Sequence, residues 1–299
     1  MIQPAAIAIM GPTAVGKSVV AERLASMLDC RIVNADAFQV YRGFDVGTAK
    51  PDNRDIYDLI DILSADVCFS AGKFVKLARP LCIGYAAEGR DAVVCGGTGL
   101  YVRALFDGYK DMTPADSEQR ARLRQILDEF GPDAVLAEAE LDPASVKPEL
   151  RSNPVRVLRL AEKALGETGE AINEPWHAQR FKFALRFDRY QLNQRIEARV
   201  LNMVHNGWRE EVSRLLAAGA EPHWPPFRAI GYREMCDHLE GDLSLDDAIA
   251  KIIVRTRRYA KRQITWLAKE RGLVWLDGDA SAESIARRIA DLIREEKDG

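Results

Sequence analysis

The chain has 299 residues, 47% hydrophobic and 29% charged, with a formal net charge of −3. That balance is ordinary for a soluble globular protein, the length fits one large domain or two smaller ones, and no overall positive field announces a nucleic-acid partner. Five scattered cysteines and four histidines fall in no ligand spacing, the start lacks a secretory signal, and no apolar run approaches a bilayer span, so a cytoplasmic protein with reduced thiols, no structural zinc and no membrane partner is expected.

In chain order, "AAIAIM" (5–10) reads as a buried parallel strand that stops at Gly11. "VVAERLASML" (19–28) has helical periodicity, "RIVNAD" (31–36) reads as a second strand ending on a carboxylate, and "DAVVCGG" (91–97) as a third ending on two glycines. Strand, helix and strand in this order predict an α/β sheet with right-handed crossovers. Residues 115–170, rich in Ala, Leu, Glu and Arg, read as helices without a strand. "FKFALRF" (181–187) alternates as a strand does. An amphipathic stretch follows over 189–218, a further helix over roughly 244–270, and a last strand over 273–279. The pattern predicts a parallel-sheet core over 1–111 and 181–299, interrupted by an all-helical insertion over 112–180.

Between the first strand and helix, Gly11-Pro-Thr-Ala-Val-Gly16-Lys17-Ser18 fits G-x4-G-K-[ST], the phosphate loop of P-loop NTPase-like folds. Glycines let the backbone wrap inward so that successive N–H groups, those of Gly11, Thr13, Ala14, Val15 and Gly16 included, point at phosphate oxygens. Lys17 adds a point charge, and the Ser18 hydroxyl can ligate Mg²⁺. The loop specifies a diphosphate or triphosphate without saying which molecule carries it.

Asp36 closes the second strand, where carboxyl ends line the ligand crevice of open α/β sheets. It can bind a Mg²⁺ water, act as a general base, or cap the next turn. The polar loop "GFDVGTAKP" (43–51) follows, and "GGTGLYVRAL" (96–105) offers the Thr98 hydroxyl beside three glycines. No ordinary Walker-B strand is present, "DLIDIL" (58–63) with Asp61 being the nearest. Within "KIIVRTRRYAKRQITWLAKER" (251–271), the density of "RTRRYAKRQ" points to phosphate contacts rather than to a merely solvated face.

Together "GPTAVGKS", "NADAFQVYRGFDVGTAKP", "VVCGGTGLYVRALFDG", "RIEARVLNMVHNGWREEVSRLLAAG", "AIGYREM" and "RTRRYAKRQITW" resemble the signature blocks of the tRNA dimethylallyltransferases (tRNA isopentenyltransferases), in the family's order and over nearly the whole chain. The resemblance implies that the loop holds the diphosphate of dimethylallyl diphosphate, with Mg²⁺ on Ser18. The acceptor would be the exocyclic amino nitrogen of the adenosine just 3′ of the anticodon (tRNA position 37). Asp36 matches the family's general base, Thr13 and Thr98 match positions beside the reacting groups, and Lys17 would stabilise the leaving diphosphate. Ala37, Phe38, Gln39 and Thr98 match the lining of the flipped adenosine. Arg120, Val155, Arg156 and Arg159 match contacts of the insertion with the anticodon stem-loop, and Arg228, Tyr232 and Arg233 match contacts around "RAIGYR". The chain departs from the family at Ala37, where serine is usual, and at Tyr57-Asp58, where a histidine pair is usual. A bacterial-type enzyme acting as a monomer is expected. The competing readings are an adenylate isopentenyltransferase acting on free AMP, ADP or ATP, a P-loop nucleotide kinase, and a non-catalytic RNA-binding protein.

Overall fold

The computed structural model describes residues 4–108, 117–166 and 179–298. Its strands β1 (Ala5–Met10), β2 (Arg31–Asn34), β3 (Tyr57–Asp58), β4 (Ala92–Cys95), β5 (Gln179–Arg186) and β6 (Leu273–Asp277) form one parallel sheet in the order β3-β2-β4-β1-β5-β6. The fold is therefore α/β with a parallel sheet. β1 is apolar at all six positions because it lies inside the sheet, between β4 and β5, and is buried on both faces.

The helices are α1 (Lys17–Leu28), α2 (Ala71–Ala87), α3 (Gly99–Asp107), α4 (Ser117–Phe130), α5 (Pro132–Glu138), α6 (Pro148–Arg151), α7 (Pro154–Leu165), α8 (Arg189–His205), α9 (Trp208–Ala217), α10 (Tyr232–Leu239), α11 (Leu245–Leu267) and α12 (Ala282–Asp298). The chain divides into two compact units. One joins Met1–Phe106 to Trp176–Gly299, and the other is Asp107–Pro175. No described helix is long and apolar enough to cross a membrane.

In the larger unit, one sheet face packs Ile7 and Ile9 against Val20, Ala21 and Leu24 of α1 and Ile285, Ile289 and Ile293 of α12. Each such valine, leucine or isoleucine contributes about 1.5–3 kcal/mol on burial. A second apolar cluster gathers Val40, Tyr41 and Phe44 with Trp208, Val212, Phe227, Tyr232 and Met235. It fixes the loop after β2 against α9 and α10. The smaller unit has its own core of Leu123, Val135, Leu136, Val157, Leu158 and Ala161. There α7 starts where Asn153 accepts a hydrogen bond from Arg156 N at 3.2 Å ahead of Pro154, a cap contributing about 1 kcal/mol.

Several elements differ from the sequence expectation. The second strand ends at Asn34, so Asp36 stands in the loop beyond it. The stretch 189–218 is two helices, because Gly207 adopts φ 88° between α8 and α9. Asp61 lies outside any strand, at φ 56°, and binds Lys50 Nζ at 2.5 Å and Arg54 Nη1 at 2.7 Å. Its carboxylate is consumed by two cations and serves no Walker-B role.

Candidate active site

The phosphate loop runs from the end of β1 to the first turn of α1. Gly11 and Gly16 have φ of 145° and 87°, and Ala14 has φ 68°. Ala14 is thus a non-glycine residue in the left-handed region, an uncommon conformation that the surrounding loop must hold in place. A side chain on Gly11 would meet Val15 and the Leu185 carbonyl at 3.0 and 3.2 Å. Val15 is buried, while Thr13, Gly16, Lys17 and Ser18 stay partly open.

Lys17 Nζ donates to the Pro12 carbonyl at 2.7 Å, which folds its side chain back over the loop. Burial pushes its ammonium down to about 8, with Arg199 adding to the fall and Cys95 and Asp36 opposing it. A cation partly withdrawn from water in this way is a ready partner for an anion. Ser18 opens the helix beside Tyr57, whose hydroxyl donates to Glu22 Oε1 at 2.9 Å and also engages Ser18. Tyr57 thus belongs to the immediate surroundings of Ser18.

Asp36 does cap the turn after β2. Its Oδ1 accepts from Phe38 N at 2.9 Å and Gln39 N at 3.4 Å. No hydrogen bond to Oδ2 is present among the described residues, and the carboxylate lines a cavity of about 360 Å³. Capping and chemistry are therefore compatible, one oxygen for each. Thr13, Phe38, Gly47, Thr48, Arg199, Trp208, Arg228, Arg255, Tyr259 and Arg262 share the cavity wall. The volume and the mixture of rings with convergent polar groups suit a single planar base. Arg199, on α8, is lowered by burial while Asp36 draws it up.

A neighbouring cavity of about 230 Å³ is lined by Gly11, the stretch from Gly96 to Leu100, and Gln263 and Trp266 of α11. Thr98 lines this cavity, and Tyr259 and Arg262 line both. Gly99 admits the Trp266 ring, which would lie 2.1 Å from any Cβ there. The basic helix therefore presents a mixed face to the two cavities.

The remaining expected residues divide. Ala37 is half-buried. Gln39 spans to the Thr48 and Ala49 carbonyls at 3.1 Å each, shaping the loop from within. Arg228 is exposed and reaches the larger cavity. Arg233 is exposed and pairs with Asp237 at 3.5 Å. Tyr232 requires correction as an RNA contact. It is fully buried, and its hydroxyl donates to Glu211 at 2.7 Å, because the aromatic is needed inside the cluster around Phe44. In the smaller unit, Arg120 and Arg159 both pair with the buried carboxylate of Glu162, at 2.6 and 3.1 Å. Val155 and Arg156 are exposed on α7.

Sequence reasoning missed four contributors. Glu211, buried, accepts from the backbone N–H groups of Asp45, Val46 and Gly47 at 2.7, 2.6 and 3.2 Å. Arg195 Nε donates to the Ala14 carbonyl at 2.9 Å, and its guanidinium lies over Phe187. Arg199 faces Asp36. Gln263 joins the phosphate loop to the β4 loop. All four lie within the signature segments 195–219 and 255–266, but nothing in their spacing singles them out.

Comparison with known proteins agrees with this geometry. Residues 39–270 match the family described as IPP transferase. A tRNA dimethylallyltransferase 2 of Geotalea daltonii is 37% identical over 98% of this chain and 93% of its own length. A tRNA dimethylallyltransferase of Anaeromyxobacter sp. (strain K) is 40% identical over 95% and 97%. The crystal structure of the full-length tRNA isopentenylpyrophosphate transferase from Bacillus halodurans is similar to this fold with a TM-score of 0.72, at 33% identity, over 99% of this chain and 98% of that one. The chain belongs to the IPP transferase family.

Proposed function

We propose that the protein transfers the dimethylallyl group of dimethylallyl diphosphate to the exocyclic amino nitrogen of the adenosine 3′ of the anticodon in tRNA, position 37, and releases diphosphate. The observation that carries this reading is the placement of Asp36 and Thr13 on one base-sized cavity beside a phosphate loop that holds Lys17. The names of the similar proteins support it.

In the reaction a nitrogen–carbon bond forms at the allylic carbon and the carbon–oxygen bond to diphosphate breaks. The adenine amino group is a poor nucleophile, since its lone pair is delocalised into the ring. Asp36 accepts its proton through Oδ2 while Oδ1 stays fixed by the Phe38 and Gln39 amides. Charge builds on the leaving diphosphate, where Lys17 and the loop amides other than that of Thr13, which Gln263 holds, stabilise it. The Ser18 hydroxyl would hold Mg²⁺, a hard cation that takes oxygen ligands and needs few of them from the protein. When bound there, Mg²⁺ neutralises leaving-group charge. Phe38 and Tyr259 offer faces to the flipped base, and stacking offsets part of the few kcal/mol that flipping costs. Thr98 and Arg228 contribute from the cavity walls. Arg120, Val155, Arg156, Arg159 and Arg233 are assigned to the anticodon arm, and the enzyme acts as a cytoplasmic monomer.

The test incubates the purified protein with Mg²⁺, dimethylallyl diphosphate and unmodified tRNA reading codons that begin with U, with AMP in a parallel tube. Nucleoside mass spectrometry is expected to find isopentenyladenosine from the tRNA tube alone. Product from AMP alone would move the protein to the free-nucleotide prenyltransferases.

A further inference from the structure

Gln263 projects from α11, the basic helix, yet it is 8% exposed and carries no charge. Its amide makes two long-range bonds. Oε1 accepts from the Thr13 backbone N–H at 2.8 Å, and Nε2 donates to the Gly97 carbonyl at 2.9 Å. The two partners fix the amide orientation, because an N–H requires the oxygen and a carbonyl requires the NH₂ group. One side chain thus holds the backbone of Thr13, in the phosphate loop, and the peptide that leads into Thr98, at the end of β4.

The consequence at Thr13 is specific. An amide of a phosphate loop would ordinarily point at the ligand, but here it is already bound by protein. The loop is therefore held at this position by α11 rather than by the diphosphate. The contact at Gly97 is equally close-fitting, since a Cβ there would lie 2.6 Å from Gln263 Nε2. Gln263 is preceded by Arg262, which lines both cavities.

We infer that Gln263 is a positioning residue for the transfer reaction: through the Thr13 amide and the Gly97 carbonyl it sets the phosphate loop and the Thr98 loop at the mutual distance that places the allylic carbon in line with the acceptor nitrogen. The inference rests on the proposed transferase reading. Both ends of its amide are taken up by protein, so its removal acts on the chemical step rather than on affinity. Misplacement of reacting groups by a fraction of an ångström to an ångström is enough to slow such a step severely.

The test uses the full-length enzyme and follows isopentenyladenosine formation in tRNA. Gln263→Met keeps the length of the side chain and removes both bonds. Its kcat is expected to fall about 10- to 100-fold, with KM for dimethylallyl diphosphate and for tRNA each within about threefold of wild type. Gly97→Ala displaces the same amide from the other side and should give a similar split. The double variant should be no slower than the slower single one, since both remove one linkage. A Gln263→Met enzyme with kcat within twofold of wild type would overturn the inference while leaving the transferase reading intact, and so would losses that multiply in the double variant. Absence of product from the wild-type enzyme would instead overturn the transferase reading itself. Should Gln263→Met fail to fold, Gly97→Ala decides alone: a lowered kcat at constant KM supports the role, and a wild-type kcat removes it.

Discussion

The phosphate side and the acceptor side of the site are built on opposite plans. The loop from Gly11 to Ser18 is eight consecutive residues, and its ligand groups are largely backbone N–H. The acceptor cavity draws its wall from segments as far apart as Thr13 and Arg262, on the phosphate loop, the loop after β2, α8, α9, the turn at Arg228 and α11. On the proposed reading the difference follows from the ligands. A diphosphate is recognised by charge, and a short run of amides with one ammonium suffices. A planar base needs walls from several directions, and only distant segments can supply them.

The two plans should fail differently. Asp36→Asn carries the largest expected effect, a fall in kcat of about 10³, in line with loss of a general base. Asparagine still offers an Oδ1 acceptor to the Phe38 and Gln39 amides, so the melting temperature and KM for dimethylallyl diphosphate should hold. Undiminished turnover in a single-turnover assay would reduce Asp36 to its capping role. Lys17→Met should cost about 10² in kcat/KM for dimethylallyl diphosphate, the scale of losing one charge-stabilising group at the leaving group, with KM for tRNA unchanged. Equal effects on both substrates would erase the distinction between the two sides.

A smaller effect comes from the proton on Lys17. Burial holds this group at about 8 in the free protein, below its ordinary 10.5. It is charged below pH 8 and loses its proton above it, while a bound diphosphate favours the charged form. Affinity for dimethylallyl diphosphate should therefore be level between about pH 7, above the ligand's own last ionisation, and pH 8, and fall by up to about tenfold per unit above it. Calorimetry at pH 8.5 in buffers of different ionisation enthalpy should detect proton uptake on binding. The sign reverses for folding: between pH 8 and 10.5 the unfolded chain binds more protons at this residue, so its contribution to stability rises with pH. Uptake that persists in Lys17→Met would assign the proton to another group.

This contrast also accounts for what the sequence disclosed. The phosphate loop was legible because backbone recognition demands a fixed spacing of glycines, lysine and serine between a strand and a helix. β1 was legible because a strand buried on both faces is apolar throughout. β3 was not, since two residues carry no periodicity, and α2 was hidden by Pro80 within it. On the acceptor side, Asp36 stood out as a carboxylate near a strand end. Glu211 did not, because its meaning lies in three amide groups more than 160 residues away. Gln263 was concealed among the charges of its own helix. A side chain that acts by joining remote loops leaves no local pattern.

Tyr232 is where a block-by-block reading and the packed structure part, and it yields the smallest predicted effect. Its position in "AIGYREM" suggested an RNA contact, but its ring lies among Phe44, Phe227 and Trp208, and its hydroxyl meets Glu211. Tyr232→Phe removes the bond to Glu211, together with the hydroxyl's engagement of the Gly47 backbone, and keeps the ring. Glu211 retains the three backbone donors of the 45–47 loop, so no buried charge is left bare. The expected cost is about 1 kcal/mol of stability, the ordinary net worth of a hydrogen bond, read in urea unfolding, with KM for tRNA unchanged. Arg228→Ala, by contrast, strips an exposed cation from the cavity wall and should raise KM for tRNA without lowering stability. If Tyr232→Phe raised KM for tRNA as much as Arg228→Ala does, the hydroxyl would have to reach the RNA, and the buried geometry would describe only the free enzyme.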